Sequence, residues 1–183
     1  MTRSRTIRRG FTLVEAVATM VILSVLAVVT SRLIFTASDV YLASATRSQI
    51  SSDASAALER IVAEMRLVPV RASSNPAVPD LTGVTATSVS WNAGASGAKS
   101  VALSGTDLTW TESGATSRLV RDVSAFSIRA FDESGAALAA SLSGSALNPV
   151  RTFEVSITVT RSGFSETLRT RVFLRSMQEG AAP

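Results

Sequence analysis

One carboxylate stands at the start of the chain's most apolar stretch. Glu15 lies five residues past Gly10 in the run Arg8-Arg9-Gly10-Phe11-Thr12-Leu13-Val14-Glu15, and Ala16 to Ser31 follow it without a charge. An Asp or Glu at the centre of a membrane helix costs roughly 2.5–3.5 kcal/mol on insertion scales, and less toward the helix end. A carboxylate kept in such a place marks a partner, so Glu15 is the first candidate functional residue. Ahead of it, Arg3, Arg5, Arg8 and Arg9 precede Gly10, a basic flank of the kind that stays on the cytoplasmic side of a membrane.

Composition excludes most other chemistry. The 183 residues include no Cys and no His. That removes disulfides, thiolate nucleophiles and thiolate metal sites, together with the commonest general base. Serines are frequent, yet no Gly-x-Ser-x-Gly elbow occurs, and there is no His to activate a serine. A Ser–Lys dyad would have to use Lys99, the only lysine, within a glycine-rich turn. The chain is therefore read as non-enzymatic, with no cofactor. Its formal net charge of +4 belongs to the first ten residues: without their four arginines, fourteen basic side chains face fourteen acidic ones. Nucleic acid is accordingly not an expected partner. An ordinary secretory signal, with an apolar region of about 7–15 residues and a small-residue cut site beyond it, does not fit either. The segment Phe11 to Ser31 is longer and carries Glu15 near its start.

Gly10-Phe11-Thr12-Leu13-Val14-Glu15 and the apolar run after it resemble the type III signal of type IV pilins and type II secretion pseudopilins. The resemblance implies that a prepilin peptidase cuts after Gly10 and that the freed Phe11 amine is methylated. It also implies that Glu15 meets the Phe11 amine of a neighbouring subunit in an assembled fibre. The implied partners are that peptidase, an inner-membrane assembly platform and other pseudopilins or pilins. The implied location is the cytoplasmic (inner) membrane, crossed once, with the N-terminus cytoplasmic and the C-terminal domain periplasmic or extracytoplasmic. One departure is visible. Major pilins carry a proline about two-thirds through the apolar segment; Ser31-Arg32 falls there, and the first proline is Pro69. That fits a minor subunit. The function implied is a structural minor pseudopilin of a type II secretion system. The alternatives are a minor pilin of a type IV pilus or DNA-uptake machine and, in another class, a single-pass anchored binding protein that never polymerises.

The elements that would carry these residues follow from periodicity. Phe11 to about Leu67 reads as one helix in two parts. The first is apolar all round. In the second, Ile50, Ala54, Leu58, Ile61, Met65 and Val68 recur at spacings of three and four, an amphipathic stripe. Arg60 and Glu64 form an i,i+4 pair on the wetter face. A local break is conceivable in the Ser/Thr-rich stretch Thr36 to Ser55. At about 1.5 Å per residue such a helix measures roughly 85 Å, against a hydrocarbon core of about 30 Å, so its second part is expected to stand outside the membrane and pack on something. Pro69 ends it. The division expected is a leader 1–10, a transmembrane segment 11–35, an amphipathic continuation 36–68, a proline-marked linker 69–80, a β domain 81–176 and a tail 177–183.

From Leu81 the period becomes two. Val89 and Trp91, Val101 and Leu103, Leu108 and Trp110, and Phe126, Ile128 and Ala130 alternate on strands, with a turn at Asn92 to Gly97 and an irregular loop over Ala136 to Pro149. Phe153, Val155, Ile157 and Val159 alternate with polar residues, Arg161-Ser162-Gly163 turns the chain, and Leu168, Thr170, Val172 and Leu174 alternate with Arg169, Arg171, Phe173 and Arg175. This is an antiparallel hairpin with one buried and one solvated face. The fold class is α+β: a long N-terminal helix, transmembrane and then amphipathic, packed on an antiparallel β-sheet in a pilin-like arrangement. The layout is most similar to the larger minor pseudopilins, especially the J-type, and to related minor pilins. Some pseudopilins hold calcium with loop carboxylates, and Asp132-Glu133-Ser134-Gly135 invites the comparison. Calcium takes six to eight oxygens, however, and this segment reads better as a hairpin turn. Eight arginines, Arg118, Arg121, Arg129, Arg151, Arg161, Arg169, Arg171 and Arg175, face five acids over the same region. They read as a solvated strand face. Trp91 and Trp110 read as core.

Overall fold

The computed structural model describes residues 12–72, 74 and 77–177. The chain divides into two compact units, Met1–Ala45 and Thr46–Pro183. A helix, α1 (Leu13–Arg66), begins in the first unit and ends in the second. In the first unit its apolar side chains, among them Ile22, Leu26, Val29 and Phe35, are exposed. The Ser/Thr-rich stretch contains no break. The Thr36 hydroxyl donates to the Arg32 carbonyl at 3.0 Å, so its polarity is absorbed by the helix's own backbone.

Among the described residues the second unit has eight strands: β1 (Leu81–Thr85), β2 (Ser88–Asn92), β3 (Ala98–Ser104), β4 (Asp107–Glu112), β5 (Ala115–Val120), β6 (Val123–Phe131), β7 (Thr152–Arg161) and β8 (Phe164–Phe173). All pair antiparallel, in a five-stranded sheet β1-β2-β3-β4-β5 and a three-stranded sheet β6-β7-β8. The α+β reading holds, with the strands shared between two sheets. β5 is an additional strand that the period of two did not reveal. Two-residue turns with left-handed backbone close two of the hairpins: Ser113 and Gly114 (φ 51° and 85°) between β4 and β5, Ser162 and Gly163 (φ 51° and 80°) between β7 and β8. Positive φ at both central positions matches the twist of the flanking strands. Asp122, also at positive φ (61°), lies where the chain leaves one sheet for the other; Asp tolerates that backbone better than most side chains.

The amphipathic stripe is covered as expected. Ile50, Ala54, Leu58, Ile61, Met65 and Val68 are buried in one apolar cluster with Trp91, Val101 and Leu108 of the first sheet and Ile128, Phe153, Ile157 and Val172 of the second. Trp91 and Trp110 meet edge to face, ring centroids 5.7 Å apart, a favoured aromatic geometry. α1 ends at Arg66, its last turn tightened by Leu67 N–H and Val68 N–H donating to the carbonyls of Glu64 and Met65. After Pro69, Arg71 N–H donates to the Val78 carbonyl at 2.9 Å, and the Ser74 hydroxyl accepts from Val78 N–H and donates to the Arg71 carbonyl. The 136–149 loop is likewise more than filler. Leu142 and Leu147 are buried, and Leu142 exchanges backbone hydrogen bonds with Val84 of the five-stranded sheet at 2.9 and 3.1 Å.

Two cationic clasps reach from α1 to the sheets. Lys99, expected in a turn, sits on β3 instead, its Nζ 2.8 Å from Glu64 of α1 and 3.0 Å from Glu112 of β4. The hydrogen bond to Glu64, above all, holds its pKa above the ordinary lysine value. Arg161, at the end of β7, donates to Asp122 at 2.9 Å and to Asp53 of α1 at 3.2 Å. One guanidinium thereby joins the helix, the corner between the sheets and the β7–β8 turn.

Candidate functional site

The start of α1 is built from the same residues that the sequence singles out. Thr12 caps the helix: its hydroxyl oxygen accepts from Glu15 N–H at 3.3 Å, and its carbonyl accepts the first helical bond, from Ala16 N–H at 3.0 Å. Thr12 and Glu15 are the first and fourth residues of a capping-box pattern, which places an acid in the first turn, where the helix dipole favours it. Among the described residues the side chain of Glu15 is not packed into a core: Leu13, Val14 and Val17, its large apolar neighbours on the first turns of α1, are exposed. The carboxylate stands at the mouth of an apolar helix. Gly10 and Phe11, the expected scissile pair, lie outside the described residues.

The uncharged run of that helix, Ala16 to Ser31, is suited to hydrocarbon. Its most apolar window has a mean hydropathy of 2.4 and no buried residue. Two of its hydroxyls are satisfied internally, Thr19 donating to the Ala16 carbonyl at 2.9 Å and Ser24 to the Val21 carbonyl at 2.8 Å. In a medium without water, every backbone and hydroxyl group must find such a partner. The arrangement can anchor the chain and offer a single carboxylate at the depth of the first turn.

The remaining candidates resolve into structural roles. Asp132 closes a turn, its carboxylate accepting from the Ser134 hydroxyl at 2.7 Å and from Ala136 N–H at 2.9 Å. Those two bonds, the hydroxyl first, hold its pKa below the usual range. No cluster of three metal-ligating side chains occurs among the described residues. The arginines of the closing hairpin are not a uniform solvated face. Glu154 of β7, 4% exposed, accepts from both Arg169 and Arg171 of β8, and these bonds, Arg169 first, depress its pKa. Arg171 also lies over the Phe131 ring, 4.9 Å from its centroid. A shallow cavity of about 390 Å³ opens beside them, lined by Ser127, Arg129, Leu138, Glu154, Ser156 and Arg169. Sequence reasoning missed the Glu154 triad. The alternation puts Glu154, Arg169 and Arg171 on one face, but it does not carry the register that joins them.

Residues 5–31 match the family model described as the prokaryotic N-terminal methylation motif, the signal carried by type IV pilins and pseudopilins. The match spans Glu15 and the start of α1. No curated protein matches the chain. The motif supports a pilin-like or pseudopilin protein; it implies processing by a prepilin peptidase and assembly with other pilins, and with the apolar helix it supports a membrane location.

Proposed function

We propose that this chain is a structural minor pseudopilin of a type II secretion machine. It inserts once through the cytoplasmic membrane with its arginines inside, is cut between Gly10 and Phe11, is methylated at the new amine, and joins a short fibre through Glu15. It performs no catalysis. The observation that carries the reading is the junction at α1: a methylation motif over residues 5–31 opens a helix that is exposed and apolar in its first unit and buried against two sheets in its second. The absence of proline before Pro69 supports a minor rather than a major subunit.

The position of Glu15 among exposed apolar side chains supports a partner outside this chain. In the fibre the Phe11 amine of a neighbour supplies it, and each charge offsets the desolvation of the other. The experiment is Glu15→Leu, scored for cleavage, membrane fraction and crosslinking to partner pilins in parallel. Insertion and cleavage should survive, since the apolar run, the leader arginines, Gly10 and Phe11 are untouched. Crosslinking should be lost, in keeping with about 3–5 kcal/mol for breaking one side of a buried pair. A Glu15→Leu protein that is cut, inserted and crosslinked at wild-type levels would remove Glu15 from assembly. A mature wild-type protein whose intact mass still includes Met1 would remove the pilin-like reading altogether.

A further inference from the structure

The three-stranded sheet has a face opposite the one that Ile128, Val155 and Ile157 bury in the core. Its register sets two adjacent rows on that face, Ser127–Ser156–Arg169 and Arg129–Glu154–Arg171, each running from β6 across β7 to β8. The cavity of about 390 Å³ is lined by the whole of the first row and by Arg129 and Glu154 of the second. Ala137, Leu138 and Ala140 of the 136–149 loop give it an apolar wall, and Ala86, between β1 and β2, also lines it. Both borders are fixed to β6 by backbone bonds: Leu138 N–H donates to the Ala130 carbonyl at 2.9 Å, and Ile128 N–H donates to the Ala86 carbonyl at 2.8 Å. The polar groups inside are only partly used. Glu154 stands directly opposite Arg129 in the β6–β7 ladder, yet its carboxylate goes to Arg169 and Arg171 of β8. Among the described residues Arg129 is left without an ion pair or side-chain hydrogen bond, and the hydroxyls of Ser127 and Ser156 have no partner either. Further along the same face, outside the cavity, hydroxyls are paired, Thr158 with Thr167 at 2.9 Å and Thr160 with Ser165 at 3.0 Å.

We infer that this cavity binds a carboxylate carried on a short apolar stem. Two arginines against one glutamate leave the lining with a single positive charge. A monovalent anion neutralises it, whereas a phosphate dianion brings a second negative charge beside the Glu154 carboxylate. The planar guanidinium of Arg129 matches a carboxylate fork to fork, and the Ser127 and Ser156 hydroxyls supply further donors to the same head group. The stem lies along Ala137, Leu138 and Ala140. Ligand pockets run from roughly 300 to 1,000 Å³, so a cavity at the small end of that range takes a head group and a stem of a few carbons. Because its borders are already tied to β6, little ordering cost is left to binding. The competing use of Arg129 is to sit in solvent as a surface charge, but an arginine on a bare strand face has neither an apolar wall nor unpaired hydroxyls beside it. Two sources carry this head group and stem: a free small organic acid, and an acidic side chain of another polypeptide.

The test is a proton–nitrogen NMR titration of the full chain in detergent micelles, reading the Arg129 Nε–H and the Leu138 amide. The probes are butyrate, 1-butanol, inorganic phosphate, and end-blocked Ala-Glu-Ala and Ala-Gln-Ala peptides. Butyrate should shift both signals saturably and bind roughly tenfold or more tightly than butanol. Tighter binding by butyrate than by the glutamate peptide identifies a free acid as the ligand, and the reverse order identifies a polypeptide side chain; the glutamine peptide should be as weak as butanol. Arg129→Gln, at an exposed position, should abolish the preference for the charged probes, and Ser127→Asp, which adds a carboxylate to the lining, should do the same. The contrast between butyrate and butanol on the wild-type chain carries the test even where a variant folds poorly. Equal binding of butyrate and butanol, or shifts indifferent to Arg129→Gln, overturns the inference. So does phosphate binding more tightly than either carboxylate probe, or no saturable shift with butyrate or the glutamate peptide.

Discussion

Replacing Lys99 by Met tests whether the clasp between α1 and the five-stranded sheet stabilises the fold. Met keeps an unbranched apolar stem and deletes the charge. Lys99 Nζ lies 2.8 Å from Glu64 and 3.0 Å from Glu112, with the lysine side chain 11% exposed and that of Glu64 14%. Glu64 would be left with Arg60 alone, at 3.1 Å and half exposed. The loss should fall below that of a fully buried pair broken on one side, at about 2–3 kcal/mol, which lowers the melting temperature of a unit this size by roughly 5–10 °C. Near-UV circular dichroism is a direct assay, because Lys99 also lies 5.7 Å from the Trp110 ring centroid. Glu64→Gln alone should be similarly damaging, and the double variant should cost less than the two singles combined, since neither charge is then left uncompensated. The pH dependence has a definite sign. Lys99 is raised by its Glu64 hydrogen bond, so its stabilisation is complete below the ordinary lysine pKa of about 10.4 and is lost as pH rises through the higher folded value. The gap between wild type and Lys99→Met should therefore close only in strong alkali. A variant that melts with the wild type at neutral pH would refute the reasoning.

Glu154 offers the acid counterpart. Removing both Arg169 and Arg171 leaves a buried carboxylate without a cation and should cost about 3–5 kcal/mol at neutral pH. Because those arginines depress the Glu154 pKa, the penalty should be complete above the ordinary glutamate pKa of about 4.3 and shrink as pH falls below it; pH-dependent melts of the double alanine variant check this. Ile61→Ala, at a fully buried position of the stripe, should cost about 2–5 kcal/mol, while Leu67→Ala, 70% exposed, should be nearly neutral; a denaturant titration of both variants makes the comparison.

Where burial has a period, the sequence announces it. The Ile50–Val68 stripe, the two tryptophans and the β7–β8 hairpin are legible because one face of each element is dry. β5 is not legible that way: Ala115 to Ser117 and Arg118 are all exposed, so an edge strand with no apolar alternation leaves only the Ser113-Gly114 turn as a clue. The clasps are hidden for a different reason. Arg161 can be recognised as a turn residue, but its partners Asp53 and Asp122 stand 108 and 39 positions earlier, and no local pattern encodes such a meeting. Lys99 is misplaced by sequence reasoning because the glycines before it suggest a turn extending through it. The chain instead resumes an extended course at Ala98. At the candidate site, Glu15 stands out in the sequence because a lone acid beside an apolar run is costly, whereas the Thr12 cap beside it is read from the structure.

The distance of Arg161 from Asp53 also sets a schedule. α1 precedes both sheets, and part of what covers it is made last: Asp53 waits 108 residues for Arg161, and Val68 waits 108 for Ser176, whose hydroxyl donates to its carbonyl at 2.7 Å. At synthesis rates of about 5–20 residues per second, the stripe from Ile50 to Val68 lacks the β7–β8 part of its cover for roughly 5–20 seconds. The turns at Ser113-Gly114 and Ser162-Gly163 can close within their own hairpins as soon as the flanking strands emerge, but the core around α1 cannot. A nascent chain of this kind exposes its helix as a sticky surface until its final hairpin arrives, and a truncation that removes only β8 leaves that surface incompletely covered for good.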